Sequence, residues 1–281
     1  MEMAQYLITG VTTPVTICPI GDIQWGGDRK DLVADRLVAH ITRCLELPNP
    51  LFVGMGDYID FASPSNREAL KQARIYDTAR KVLDDATKKL VHEVFDNFLA
   101  PTRGKWLGLV EGHHHYRLLD GRHSDQYLCE LLAAPWLTEL GIVNVQWKDK
   151  THTQSINIVV FHGDGQSVFP HGPLVKTFRV SPHWDADVIL MGHQTRKAAA
   201  NYDFVKPIFT NGVGRLDHLT RHLIGTGGWS KGYVAGRPTY VSKEMYPPVA
   251  LGQPIIHVRP AWHRPSGGGP QQWESNITVE V

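Results

Sequence analysis

Hydrophobic residues in this chain gather into short runs that end abruptly at residues able to bind a metal. Pro14–Ile20 leads into Gly21-Asp22-Ile23-Gln24, and Leu51–Met55 into Gly56-Asp57-Tyr58-Ile59-Asp60. Trp106–Val110 leads into Glu111-Gly112-His113-His114-His115, Ile156–Phe161 into His162-Gly163-Asp164, and Val188–Met191 into Gly192-His193-Gln194-Thr195. Each run is rich in β-branched residues and bounded by a turn signal, so each reads as a buried strand. In open α/β sheets the chemistry sits just past the carboxyl ends of the strands. Here those ends carry Asp, Asp, His, His and His in that order. Carboxylates supply charge and neutral imidazoles supply directed lone pairs, which is the mixture a divalent cation needs.

Other segments carry helical spacing. In Asp28–Leu47 the apolar residues Leu32, Val33, Leu37, Val38, Ile41 and Leu45 predict an amphipathic crossover helix, with Asp28 as its N-cap and Pro48 and Pro50 ending it. Asn66–Leu99 is charged, free of Gly and Pro, and rich in helix formers. It predicts one long helix or two shorter ones, a helical insertion beside the site whose Asp, Glu and His residues form a solvated face rather than ligands. Ser124–Ala134 reads as a short helix capped by Ser124, and Lys176–Val180 as part of another that ends before Pro182.

Strand and helix alternate in the first half, while the second half has closely spaced strands, Pro207–Thr210 among them. The expected class is α/β in a single domain spanning 1–281. Leu219–Gly252 mixes Gly, aromatics and Pro, and reads either as a lid facing substrate or as a surface loop anchored by its own rings. Gly267–Gly269 reads as a flexible turn and Ile277–Val281 as a final edge strand.

Composition narrows the function classes. Net charge is +1, so nothing indicates a nucleic-acid surface, although a local patch stays open. The three cysteines Cys18, Cys44 and Cys129 form no CxxC pair, which fits a reducing compartment better than a disulfide framework. No leader-like start and no apolar stretch of roughly 20 residues is present, so the expectation is a cytoplasmic protein without a membrane partner.

Asp57 is the strongest single candidate. A carboxylate has two oxygens and can bridge two cations about 3.5–4 Å apart, and Gly56 lets the chain turn sharply before it. Alone, such an Asp is an ordinary turn residue. The triplet His113–His115 cannot send three ligands to one ion from a strand, because alternate side chains face opposite ways; on a turn, one or two can converge. Arg117 is either a phosphate clamp or a solvated arginine. Asp164 reads as a turn cap. Trp25, Trp229 and Tyr233 either stack on a substrate ring or pack in the core or a lid.

The five blocks, in order over residues 22–195, resemble those of the calcineurin-like metallophosphoesterases: Asp-x-His, Gly-Asp-x-x-Asp, Gly-Asn-His-Asp/Glu, a lone His, and Gly-His-x-His. The stretch Thr226-Gly227-Gly228-Trp229-x-x-Gly232-Tyr233 is similar to that of some phage and bacterial members. The resemblance implies a central two-sheet β-sandwich flanked by helices, a four-layer αββα fold. It implies a phosphoester substrate, with phosphomonoester, phosphodiester and nucleic acid all open, and leaves oligomeric state undefined. It further implies one cation on Asp57, His113 (where the family has Asn), His162 and His193, and another on Asp22, Asp57 and the positions of Gln24 and Thr195. His114 matches the histidine that protonates the leaving oxygen, and Asp60 supports it.

The chain departs from the pattern where Gln24 and Thr195 replace histidines. Oxygen donors favour harder ions, so the expectation is one strong and one weak site. Mn²⁺ is the ion best suited to both, with Zn²⁺, Fe and Mg²⁺ as alternatives. The resemblance therefore implies a metal-dependent phosphoester hydrolase. The two replacements motivate an alternative, a binding or scaffolding module that has lost a metal position, and a nuclease is a third reading.

Overall fold

A computed structural model describes residues 1–10, 12–27, 32–61, 77–148, 150, 152–165, 169, 171–210, 213–263 and 272–281. It is a mixed α/β structure with two multi-stranded sheets. The first contains β2 (Val15–Ile20), β3 (Pro50–Gly54) and β4 (Trp106–Leu109), all parallel. On the other side of β2 it is completed by β10 (Ile255–His263) and, at the edge, β11 (Gln272–Glu280), both in antiparallel pairs. The second sheet runs β1 (Glu2–Thr9), β5 (Leu140–Lys148), β6 (Thr153–Phe161), β7 (Val188–Met191), β9 (Val213–Thr226) and β8 (Lys197–Thr210).

The uninterrupted apolar runs are the strands covered on both faces. Every residue of β2, β4 and β7 is buried, the pattern expected of interior parallel strands. Between the sheets, Ile17, Val53 and Leu107 meet Val145, Ile158 and Leu190 in one apolar core. The other face of the first sheet packs, through Cys18, Ile20 and Phe52, on three helices: α1 (Ala34–Glu46), α2 (Asp77–Val94) and α3 (Ser124–Leu132). On the outer face of the second sheet, Val159, Ile189 and Leu223 pack against Leu174 of α4 (Gly172–Val180). Among the described residues no helix is long and apolar enough to cross a membrane. Cys18, Cys44 and Cys129 are buried free thiols.

Several local expectations need correction. α1 begins at Ala34, with Val33 in the cap position, and Leu32 lies before it in a bridge to Ser230. Its buried stripe is Leu37, Ile41 and Cys44; Asp28 lies outside the described residues. The N-cap position of α3 is His123, whose side chain makes no capping bond, and not Ser124, whose hydroxyl instead accepts from the Tyr116 N–H (3.0 Å). α2 is described from Asp77 onward and passes into a π-helical turn, Phe95–Leu99; residues 66–76 and Gly267–Gly269 lie outside the described residues. The expected loop at 219–252 is strand as far as Thr226, because β8 and β9 form a long hairpin. The rest is anchored by Trp229, which is 1% exposed and donates to Gln253 Oε1 (3.2 Å).

Candidate metal centre

The carboxyl ends of β2, β3, β4, β6 and β7 meet at one rim. The loops after β2 and β3 stay zipped together, with Asp22 N–H donating to the Gly56 carbonyl (2.9 Å) and Gln24 N–H to the Asp57 carbonyl (2.8 Å). Close approach requires glycine: a Cβ on Gly112 would lie 1.9 Å from Asp57 N, and one on Gly56 would lie 2.7 Å from His162 Nδ1. Asp22, Gln24, Asp57 and His193 all adopt positive φ, between 48° and 63°. Left-handed backbone at four non-glycine positions costs energy, and such strain concentrates where geometry is being held for a purpose.

Two groups of donor atoms result. His113, His162 and His193 form one, and Asp22, Asp57 and His162 the other; within each group the donors lie within 4.8 Å of one another. His162 Nδ1–H donates to the Met55 carbonyl (2.6 Å), so when the ring is neutral Nε2 carries the lone pair. That nitrogen faces Asp57 Oδ2 at 3.2 Å and His193 Nδ1 at 3.3 Å. Metal-binding imidazoles are oriented by an outer contact of this kind. Asp22 is 3% exposed, and among the described residues its Oδ1 has no hydrogen-bond partner. A buried carboxylate oxygen left unpaired is costly and fits a cation as its missing partner.

The electrostatics agree. Burial works against charge on His162, but Asp57 and Asp22 outweigh it and raise its pKa to about 9. Burial likewise opposes charge on Asp57, yet His162 and His114 hold its carboxyl well below the usual range. Asp22 moves the other way, raised mainly by burial and further by Asp57. His193 falls to about 4 through burial and the neighbouring His162 and His113. A proton on His162 therefore balances the two buried carboxylates, at the point where a metal would do the same.

His114 stands beside both groups. Its backbone N–H donates to Asp57 Oδ1 (2.9 Å), its Nδ1 contacts Asp60 Oδ1 (2.8 Å), and its Nε2 lies 3.7 Å from Asp57 Oδ2. Burial resists protonation, but Asp60 and Asp57 raise its pKa.

Not every candidate joins the centre. Gln24 does: its Nε2 lies 3.5 Å from Asp57 Oδ2. Thr195 follows His193, but among the described residues no hydrogen bond ties its side chain to the group. Arg117 is exposed, and its backbone is bridged to His123. Asp164 pairs with Lys176. Trp25 packs edge-on against Phe98 and donates to Glu93 (2.8 Å), and buried Trp229 is core, so neither is a stacking platform. On α2, Asp84 binds Lys88 and the Leu119 N–H, and His92 contacts Tyr127.

Sequence reasoning missed Asp125, which is 2% exposed and accepts from the Gly112 N–H (2.9 Å). It also missed Gln253, which bonds both the N–H (3.3 Å) and the carbonyl (2.9 Å) of Gly21, beside Asp22. A lone Gln in a Pro- and Gly-rich stretch gives no signal, whereas Asp125 at a helix start was visible as a polar residue inside an apolar face.

No family model matches the chain, and no curated protein matches it.

Proposed function

We propose that this protein is a metal-dependent phosphoester hydrolase of the calcineurin-like metallophosphoesterase type. The observation that carries the reading is the convergence, at one rim, of Asp22, Asp57, His113, His162 and His193 from five strand ends spread over the chain. The succession of helices, sheet, shared core, sheet and helix supports the αββα arrangement expected of that family.

His113, His162 and His193 with Asp57 would hold one cation, and Asp22, Asp57 and Gln24 a second, weaker one. Bound there, a divalent ion supplies Lewis acidity toward a phosphoryl oxygen and makes water acidic enough to attack near neutral pH. The chain's own residues do the rest. Asp60 holds His114 with its ring protonated, and His114 delivers that proton to the leaving oxygen as the P–O bond breaks. Met55 fixes the tautomer of His162, and the zipped loops after β2 and β3 keep Asp22 and Asp57 facing one point.

The test is a kinetic comparison on a nitrophenyl phosphodiester, with Mn²⁺ expected to serve best. His114→Ala should lower kcat by about 10²–10⁴-fold, the worth of a positioned acid, with metal content unchanged. Absence of metal-dependent turnover by the wild-type chain on mono- and diesters would favour a second reading, a non-catalytic binding module. The amide of Gln24 and the detached Thr195, where the family has imidazoles, motivate that alternative.

A further inference from the structure

The triplet His113–His115 is divided among three tasks. His113 joins the rim imidazoles and His114 meets Asp57 and Asp60, while His115 belongs to another group altogether. With Glu111 and His123 it forms a third set of donors lying within 4.8 Å of one another, and none of the three belongs to the rim groups. Glu111 spreads its carboxylate between the two rings: Oε1 faces His115 Nδ1 at 3.2 Å, and Oε2 contacts His123 Nδ1. The rings stack face to face, 4.6 Å apart and 2° from parallel. His115 Nδ1 also donates to the Gly112 carbonyl at 2.8 Å, which fixes the ring and leaves Nε2 as its lone-pair donor when neutral.

The chain builds this cluster deliberately in its backbone. β4 ends at Leu109, and a hairpin then folds His123 back beside His115. Leu118 N–H donates to the Arg122 carbonyl (2.8 Å), Ser124 N–H donates to the Tyr116 carbonyl (2.8 Å), and Arg117 bridges His123. Trp136 stands edge-on to His123, with centroids 6.3 Å apart, as an apolar wall. The three side chains are 16–30% exposed, so solvent ions reach them.

We propose that Glu111, His115 and His123 form a separate site for a divalent first-row transition ion, Zn²⁺ before Mg²⁺ or Ca²⁺. Two imidazoles and a carboxylate are the donors of tetrahedral zinc, with water in the fourth position. Hard ions want an all-oxygen shell that this cluster does not offer. An ion here ties the 116–124 hairpin to the end of β4 and steadies the turn that presents His113 and His114. The competing account is a carboxylate hydrogen-bonded between two rings. Metal counting separates the two, and it does so whether or not the rim is a hydrolase centre.

The experiment titrates the full chain with Zn²⁺ against a chromophoric chelator, and with Co²⁺ followed by its visible bands. His123→Phe keeps the ring stack and removes the nitrogen; Glu111→Gln removes the charge. Each variant should bind one ion fewer than the wild type, and His193→Ala should retain the ion that they lose. Circular dichroism shows whether each variant is folded. Should His123→Phe fail to fold, Glu111→Gln and His123→Gln carry the same comparison. Equal stoichiometry and affinity in the wild type and the folded variants would overturn the proposal. So would loss of this ion in His193→Ala.

Discussion

The two halves of the rim share His162 but differ in what stands behind it. On one side are the imidazoles of His113 and His193, with His193 kept uncharged down to about pH 4 by burial and its neighbouring rings. On the other are Asp22 and Asp57, two buried carboxylates: among the described residues Asp22 Oδ1 has no partner, and Asp57 meets the His114 N–H, His162 Nε2 and, at 3.5 Å, the Gln24 amide. The imidazole half gathers three directed donors, with Asp57 Oδ2 3.2 Å from His162 Nε2. The carboxylate half offers charge but few directed lone pairs, and the raised pKa of Asp22 sets a proton in competition with any ion. Charge would draw a cation to such a rim, but donor number and direction would decide where it stays.

Removing the shared residue should have the largest effect. His162→Ala should empty both halves and abolish turnover, measured by metal analysis of the dialysed variant beside wild type. Retention of one ion would show that the halves are independent. A smaller effect is expected from restoring an imidazole: Gln24→His should tighten the second ion by roughly tenfold or more, within the range expected when metal-site contacts change. Titration with Mn²⁺ reads this, and unchanged affinity would mean that position 24 is not a ligand.

Smallest is the proton count. In the metal-free protein His162 holds its proton up to about pH 9. The ion binds the deprotonated ring, so apparent affinity should rise with pH by up to about tenfold per unit from pH 7, and level off above 9. Calorimetry in buffers of different ionisation enthalpy should find about one proton released per ion at pH 7.5, whereas pH-independent binding would remove His162 from the ligand set.

Five strand ends and the Asp and His residues that follow them were legible because interior parallel strands are continuous apolar runs. The strands nearer the open side of the second sheet were not read, although they carry a signal of another period. In β5, Val143, Val145 and Trp147 are buried while Asn144 and Gln146 alternate with them, and in β1 Tyr6 and Ile8 turn inward in the same way. The part of β9 read as loop begins at Leu219, and of its buried residues Arg221, His222 and Thr226 are polar, so no apolar run marks it as strand. The pairing of Glu111 with His123 was hidden because only the hairpin between them, turning at Asp120-Gly121, brings the two together. Periodicity reveals which face is covered, but not which distant turns meet.

The most direct test of the asymmetry is an anomalous-scattering map from crystals of Mn²⁺-loaded protein dialysed against metal-free buffer. The account predicts a strong peak among His113, His162, His193 and Asp57, and a weak peak or none beside Asp22 and Gln24. Peaks of equal height in both halves, or a peak at Asp22 alone, would contradict it.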